Sequence, residues 1–234
     1  MISFTDVVVR VEVPGSPGRP FESRTILDGV TLDLRERRIA VVGANGSGKS
    51  TLLRLVNGFT LATSGAVLVD GVDPARHGRE VRRRVGFVFT DTLSQLVMPT
   101  AAEDVELSLR RTVRDRAIRR ERALTLLAER GLAGVAEQSV HDLSGGERQL
   151  VALVAVLAVE PAILVADEPT TLLDLRNRLA LARVLAELPQ QVVVATHDLD
   201  LARGFERVVV VDAGRIVADG SPEATLRFYE RLMA

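Results

Sequence analysis

Short runs of apolar, β-branched residues alternate along this chain with segments whose apolar residues recur every three or four positions. The short runs predict strands at Phe4–Val13, Val30–Leu34, Ile39–Val42, Val67–Asp70, Val85–Phe89, Ile163–Asp167, Val192–Thr196 and Val208–Asp212. Several of these runs are unbroken, as expected of parallel strands that are covered on both faces. The helical periodicity predicts helices at Lys49–Asn57, Ala101–Arg111, Arg114–Arg130, Gly145–Val159, Leu175–Leu188 and Pro222–Met233.

The order of these elements predicts an α/β core with a parallel sheet and antiparallel strands at the front of the chain. PGSPGRP, residues 14–20, is typical of a hairpin loop between two early strands. A mostly helical insertion, approximately residues 93–145, interrupts the core, with Gly131 expected to end one of its helices. Ser144 is expected to cap the next helix. No linker or repeat divides the chain, so residues 1–234 are predicted to form a single domain.

Composition narrows the class of protein. With 47% hydrophobic and 26% charged residues, the chain of 234 residues can bury a core. Its net charge of -1 disfavours a nucleic-acid partner, and its lack of cysteine excludes disulfides. No signal peptide is visible, and the longest apolar run, Leu150–Val159, is about half of the ~20 residues that span a bilayer. A soluble, cytoplasmic protein is expected.

GANGSGKST follows the predicted strand Ile39–Val42 and has the spacing of a loop that binds nucleotide phosphates. Its glycines let backbone N–H groups turn towards the phosphates, and the following helix adds the positive end of its dipole. Lys49, the single lysine among 30 basic residues, is expected to reach the β and γ phosphates, and Ser50 to ligate Mg²⁺. The predicted phosphate-binding residues are Gly43, Ala44, Asn45, Gly46, Ser47, Gly48, Lys49, Ser50 and Thr51.

AILVADE, residues 162–168, is an apolar strand that ends in two carboxylates. Asp167 is expected to hold the Mg²⁺ through water, as in other phosphate-loop enzymes. Glu168 is expected to polarise a water for attack on the γ-phosphate. The alternative is a solvated acidic pair at a strand end, which the preceding phosphate loop disfavours.

HDLSGGERQLVAL, residues 141–153, contains a second helix start that can bind an anion, but it has no lysine. One chain needs one phosphate loop for each nucleotide. Ser144, Gly145 and Gly146 therefore make sense if they close over a nucleotide that another copy of the chain holds. A simple helix cap explains Ser144 but not the two glycines that follow it.

The order GANGSGKST, LSGGE, ILVADEPT, TLLD and VVVATHD resembles that of an ABC-type ATPase subunit, over essentially the whole chain. The resemblance implies binding and hydrolysis of ATP with Mg²⁺ in an ATP-dependent homodimer. It implies that the LSGGE serine and glycines bind the γ-phosphate of the partner's ATP and that Asp174 crosses the dimer interface. His197 resembles the switch histidine that contacts the γ-phosphate beside Glu168. Phe21 resembles the aromatic residue that stacks on adenine, with a surface hairpin residue as the alternative.

Among ABC-type ATPases, the run from VGFVFTDTLSQLVMPT to AAEDVELSL resembles the energy-coupling-factor (ECF) importers of prokaryotes. LPQQVVVATHDLDLA and FERVVVVDAGRIVADG look most like the ATPase of the biotin uptake system, with cobalt or nickel uptake as the runner-up. This resemblance implies a transmembrane coupling subunit and a substrate-binding membrane subunit as partners, at the cytoplasmic face of the membrane. Residues 93–145 are expected to dock the coupling subunit, with Glu103 and Asp104 on the docking helix.

Two other classes of protein fit this sequence less well. A soluble ABC ATPase that acts on DNA, ribosomes or cluster assembly is disfavoured by the neutral charge and the single cassette. An unrelated phosphate-loop kinase or GTPase does not explain LSGGE.

The chain departs from the family pattern at one position. After the strand VGFVF the family places a glutamine that reaches Mg²⁺ and the attacking water, and here that position is Thr90. The shorter threonine side chain is poorly suited to direct metal ligation. A shifted loop in which Gln95 takes over this role is the alternative.

Overall fold

The computed structural model describes residues 1–14, 21–171 and 173–234. In chain order the strands are β1 (Ile2–Pro14), β2 (Phe21–Leu34), β3 (Arg38–Val42), β4 (Ser64–Val69), β5 (Val85–Val88), β6 (Ile163–Asp167), β7 (Gln191–Ala195), β8 (Arg207–Asp212) and β9 (Arg215–Gly220). In chain order the helices are α1 (Lys49–Val56), α2 (Pro74–Arg84), α3 (Thr92–Gln95), α4 (Ala101–Leu109), α5 (Arg116–Ala128), α6 (Gly145–Leu157), α7 (Leu175–Glu187), α8 (Leu199–Arg203) and α9 (Pro222–Met233), with a 3₁₀ turn at Ala133–Val135.

The first of two compact units comprises Met1–Val85 and Gln191–Ala234. Its front is an antiparallel sheet in which β1 pairs with both β2 and β4. Its centre is β3, which pairs in parallel with β7 on one side and β8 on the other, and β8 pairs antiparallel with β9. The predicted apolar run Ile39–Val42 is fully buried in β3, and Arg38 before it is buried as well.

The second unit, Gly86–Gln190, holds β6, most of β5 and the helices α3 to α7. β5 and β6 are neighbours in a sheet, and α4, α5 and α6 pack around a shared apolar core. Ala101, Val105, Leu127 and Val151 are completely buried in this core. Gly131, which has a φ of 76°, ends the α5 segment as predicted.

The predicted α/β class is confirmed: a parallel sheet, an antiparallel β region at the N-terminus and a helical region all form. The prediction that residues 1–234 form one domain with a helical part at 93–145 stays a prediction. Of the predicted hairpin loop, residues 15–20 lie outside the described residues, although the strands on either side do pair, with Pro14 opposite Phe21.

Four elements were not predicted from the pattern. β9 alternates between exposed and half-buried residues, so it has no apolar run. α2 carries five arginines in eleven residues, which hides its two buried positions, Pro74 and Val81. α3 and α8 are only four and five residues long and depend on aspartate caps, Asp91 and Asp198. Among the described residues, no helix has both the length and the apolar character needed to cross a bilayer.

Candidate nucleotide site

The predicted phosphate loop connects β3 to α1, and two of its glycines, Gly43 and Gly48, are required by space. A Cβ on Gly43 would lie 2.1 Å from the main-chain oxygen of Val211, and one on Gly48 would lie 2.8 Å from Leu27 Cδ2. Gly48, with a φ of 112°, is the N-cap of α1 and provides no side-chain cap. The first turn of α1 contains no acidic residue, so its N–H groups and dipole are available to an anion.

Lys49 lies across this loop. Its ammonium donates to the main-chain oxygens of Gly43, at 2.8 Å, and Ala44, at 3.1 Å, and the residue is only 5% exposed. Beside it, the buried Ser47 hydroxyl has no hydrogen-bond partner among the residues that the structure describes. A glycine cradle with a lysine and an unsatisfied hydroxyl fits phosphate oxygens, which accept hydrogen bonds from each of these groups. Ala44, Asn45, Ser50 and Thr51 lie on the same loop and the first turn of α1, as predicted.

His197 follows β7, the parallel neighbour of β3. The Thr196 N–H donates to Val41 at 3.0 Å, so the segment after β7 leaves the sheet at the same edge as the phosphate loop. His197 is exposed between the buried Thr196 and Asp198, and the Asp198 side chain caps α8. The first unit therefore brings the predicted switch histidine and the phosphate loop to one edge of its sheet.

Phe21 is the first residue of β2 and lies at the end of the β1–β2 pairing. It pairs with Pro14 in the last register step between β1 and β2, and the ring is 65% exposed. The phosphate loop packs against Ile26 and Leu27, five and six residues further along β2. An exposed ring can stack on a base, and the adenine-stacking role of Phe21 stays a prediction.

The two predicted carboxylates end β6 in the second unit. Asp167 is 1% exposed, whereas Glu168 is half-buried and has a φ of 52°. This left-handed conformation is uncommon for a residue with a side chain and turns Glu168 out of the strand's alternation. The neighbouring carboxylates therefore leave the strand end in different backbone conformations, and their two roles stay predictions.

Thr90 contacts this strand end. Its hydroxyl donates to the main-chain oxygen of Asp167 at 3.0 Å. Gln95, by contrast, is bound to β5 and the residue that follows it: its carbonyl accepts from Phe89 N at 2.9 Å, and its amide donates to Phe87 O at 3.2 Å. The structure thus places Thr90, and not Gln95, against the predicted metal-holding residue.

The signature loop, Ser144–Gly146, opens α6. The Ser144 hydroxyl accepts from Glu147 N at 3.3 Å, and the Ser144 N–H donates to the Glu147 carboxylate at 2.8 Å, which completes a capping box. The Ser144 hydroxyl also donates to this carboxylate at 2.6 Å. The Ser144 hydroxyl, together with the Ser144 N–H, holds the pKa of Glu147 below its usual value. Ser144 and Gly145 are exposed, so this helix start is open to a ligand outside the chain. The predicted cap is confirmed, and both glycines of the loop remain unexplained by capping.

Asp174 is exposed and caps α7, where its side chain accepts from Asn177 N at 2.8 Å. Leu172, in the motif that ends at Asp174, lies outside the described residues. The Asn177 side chain covers Gly146: a Cβ added to that glycine would lie 2.5 Å from Asn177 Cγ. Asn177 is not among the site residues predicted from the sequence, because a single asparagine in a helix belongs to no recognisable motif.

The two acidic residues predicted on the docking helix, Glu103 and Asp104, have different surroundings. Asp104 is 6% exposed, and its carboxylate accepts from Val97 N at 2.8 Å and Met98 N at 3.0 Å. Glu103 is half-buried and completes a capping box with Thr100 at the start of α4. Both residues lie in the first turn of α4, and the docking role of this helix stays a prediction. The Asp104 carboxylate holds the preceding loop.

A family model described as ABC transporter matches residues 27–171 of this chain. The chain belongs to the ABC transporter family. An ABC transporter ATP-binding protein of Deinococcus radiodurans is 46% identical over 213 residues, which cover 91% of this chain and 94% of that protein. The biotin transport ATP-binding protein BioM of Rhizobium etli is 43% identical over 92% of this chain and 96% of its own length. The energy-coupling factor transporter ATP-binding protein EcfA1 of Symbiobacterium thermophilum is 41% identical over 90% of this chain and 76% of its own length.

Solved structures agree with this membership. The ATP-binding cassette MJ0796, in a dimeric post-hydrolysis state bound to ADP and Pi, superposes with a TM-score of 0.83 at 31% identity, covering 95% of this chain and 99% of that one. The protein cbiO1 of Clostridium perfringens, part of the ABC transporter complex cbiONQ, superposes with a TM-score of 0.79 at 26% identity, covering 99% and 92%. This ABC transporter ATPase therefore binds and hydrolyses ATP, and the predicted resemblance to the biotin and ECF ATPases is confirmed.

Proposed function

We propose that this ATPase energises an ECF-type importer at the cytoplasmic face of a prokaryotic membrane and that the imported substrate is biotin. Identities of 43% to BioM and 41% to EcfA1, each over at least nine-tenths of the chain, support the proposal. The observation that carries the catalytic part is the capped helix start with Ser144 and Gly145 exposed, which offers an anion site without a lysine of its own. A helix start of this kind completes a nucleotide site when a second copy of the chain holds the nucleotide in its phosphate loop.

In the proposed homodimer, Lys49 and the amides of residues 43–48 bind the phosphates of one ATP, and the signature loop of the other copy closes over its γ-phosphate. Glu168 orients the attacking water and accepts its proton, and His197 contacts the γ-phosphate. Ser50 and Asp167 would hold Mg²⁺, Asp167 through water. A bound Mg²⁺ would neutralise charge on the phosphate oxygens.

Two further positions complete the proposed site. Asp174 reaches the interface between copies, and Phe21 stacks on the adenine. Thr90 takes the place of the family glutamine through its contact with Asp167, without ligating the metal directly.

We propose that the membrane partner docks on the second unit, where α4 and α5 border a cavity of ≈ 590 Å³. Met98, Glu103, Arg110 and Arg116 are among its lining residues. Val97 beside it is 68% exposed, so the surface combines apolar and charged groups, which suits a short amphipathic helix of a coupling subunit.

ATP-dependent dimerisation tests the catalytic part of the proposal. Glu168→Gln should stop hydrolysis while leaving ATP binding intact, and size-exclusion chromatography with ATP and Mg²⁺ should then show a dimer. Lys49→Ala in the same background is the control and should stay monomeric. A monomeric Glu168→Gln variant with demonstrated ATP binding would contradict the proposal.

Substrate choice is tested in the source cell. Deletion of the gene should abolish uptake of labelled biotin, and the wild-type gene, but not its Glu168→Gln variant, should restore it. Cobalt and nickel uptake, the runner-up functions, should be unchanged. If metal uptake is lost and biotin uptake is normal, the metal ion and not biotin is the substrate. If neither uptake is lost, a soluble ABC ATPase is favoured.

A further inference from the structure

Asn177 and Gly146 are in close contact within the second unit. A Cβ placed on Gly146 would lie 2.5 Å from both Cγ and Nδ2 of Asn177, and 3.0 Å from Oδ1. Contacts shorter than 3.0 Å at a Cβ essentially never occur, so the planar amide group rests directly on the α-carbon of this buried glycine. The space that a side chain would fill at Gly146 is occupied by Asn177.

Asn177 is itself fixed by Asp174. It occupies the third position of α7, and its N–H donates at 2.8 Å to the Asp174 carboxylate that caps the helix. Asp174 is exposed at the start of α7, and Ser144 and Gly145 are exposed at the start of α6. Asn177 therefore connects two exposed helix starts, with its backbone bound to one and its side chain packed against the other.

We infer that Asn177 is a positioning residue that sets the signature loop in register with Asp174. This inference rests on the proposed function, in which both segments face the nucleotide and the second copy. A movement of the signature loop by a fraction of an ångström changes the distance between its amides and a phosphate. Hydrogen bonds from the amides to phosphate oxygens depend strongly on that distance. Holding α6 and α7 together would let one closing movement bring both segments into place.

Packing alone is the competing explanation, and charge separates it from positioning. Asn177→Asp keeps the shape of the side chain and places a carboxylate beside the N-terminus of α6. The dipole of α6 favours a negative charge there, and the capping Glu147 carboxylate opposes it, so the isolated chain should lose little stability. In the dimer, the same carboxylate would lie near the partner's nucleotide phosphates and repel them. ATP-dependent dimerisation should thus weaken without a matching loss of stability, which simple packing does not predict.

The experiment is carried out in full-length Glu168→Gln protein. Thermal melting without nucleotide measures the stability of the fold. Binding of a fluorescent ATP analogue to dilute monomer measures the nucleotide affinity of the phosphate loop. Sedimentation with ATP measures the dissociation constant of the dimer. We expect Asn177→Asp to melt close to its parent, to bind the analogue equally, and to raise the dimer dissociation constant by about tenfold or more.

A second pair of variants tests the contact itself. Gly146→Ala alone should lower the melting temperature, since its methyl group meets the Asn177 amide. Asn177→Ala removes that amide, so the Gly146→Ala/Asn177→Ala double variant should recover most of the melting temperature lost in Gly146→Ala. Additive losses would show that the two residues are not coupled and would overturn the inference.

The outcomes separate the inference from the function beneath it. If the Glu168→Gln parent fails to dimerise with ATP, the proposed function and the inference are both overturned. If the parent dimerises and Asn177→Asp dimerises equally well, only the inference is overturned. Weaker dimerisation without a matching loss of stability or nucleotide binding supports it.

Discussion

The Thr90 hydroxyl donates a 3.0 Å hydrogen bond to the main-chain oxygen of Asp167. It joins the segment after β5 to the end of β6 at the residue proposed to hold Mg²⁺ through water. A family glutamine at this position would extend further and reach the metal and the attacking water. In this chain the side chain instead supports the backbone of Asp167, which makes position 90 a structural support.

Thr90→Val keeps the shape of the side chain and removes its donor. The Asp167 oxygen then loses a partner, and we expect a loss of about 1–3 kcal/mol in the free energy of unfolding. Chemical denaturation measures this loss. Thr90→Ser, which retains the hydroxyl, is the matched control and should lose clearly less.

Thr90→Gln restores the family residue. We expect it to raise Mg²⁺-dependent ATP hydrolysis between about two- and tenfold, because the longer amide can reach the metal and the water. Steady-state rates across a Mg²⁺ titration provide the measurement. An unchanged rate in a variant that melts normally would show that the glutamine position is not limiting here.

Gln95→Ala removes both side-chain hydrogen bonds to the backbone at Phe87 and Phe89. We expect lower stability, by about 1–3 kcal/mol, with the hydrolysis rate per folded molecule nearly unchanged. Rates measured well below the melting temperature test this. Abolished hydrolysis in a folded Gln95→Ala protein would mean that Gln95 leaves β5 during turnover and acts as the sensor.

Asp104 should give stability a defined pH dependence. Burial raises the pKa of its carboxyl above the usual value, against the hydrogen bonds from Met98 and Val97 that lower it. The folded chain therefore keeps the proton to a higher pH than the unfolded chain. The stability contributed at Asp104 falls as pH rises from the ordinary value through the raised one, and it is constant above that.

Asp104→Asn removes this ionisation while its amide oxygen still accepts from both N–H groups. Its melting temperature should change less than that of the wild type between about pH 4 and pH 7. Asp104→Ala leaves both N–H groups without their acceptor and should cost about 1–3 kcal/mol. Asp142→Asn, at an exposed carboxylate, is the control. Identical pH profiles for the wild type and Asp104→Asn would contradict the assignment.

Gly43→Ala should damage the phosphate loop more than Gly46→Ala. The added methyl group at Gly43 would meet main-chain oxygen at 2.1 Å, and no atom lies within 4 Å of the corresponding position at Gly46. Gly46 has a φ of 79°, so its variant carries backbone strain of roughly 1–2 kcal/mol and no clash. Thermal melting in the absence of nucleotide compares the two. Equal losses would mean that the loop can move away from Val211.

The sequence by itself determined the α/β class, most of the strands and helices, and the chemistry of the phosphate loop. Strands such as β3 are buried on both faces, so their apolar runs follow directly from their environment. The glycine spacing before Lys49 reflects a local turn, and a local turn is readable from a few consecutive residues. Ser144 was readable for the same reason, since its capping box involves residues three apart.

Tertiary structure decided what depends on residues distant in the chain. The sequence places Asp104 on a helix, and only the fold buries its carboxylate against the N–H groups of the preceding loop. Thr90 and Asp167 are 77 residues apart in sequence, and Asn177 covers a glycine in another helix. Hydrogen bonds and close contacts of this kind leave no periodicity in the sequence, because they are set by how strands and helices pack.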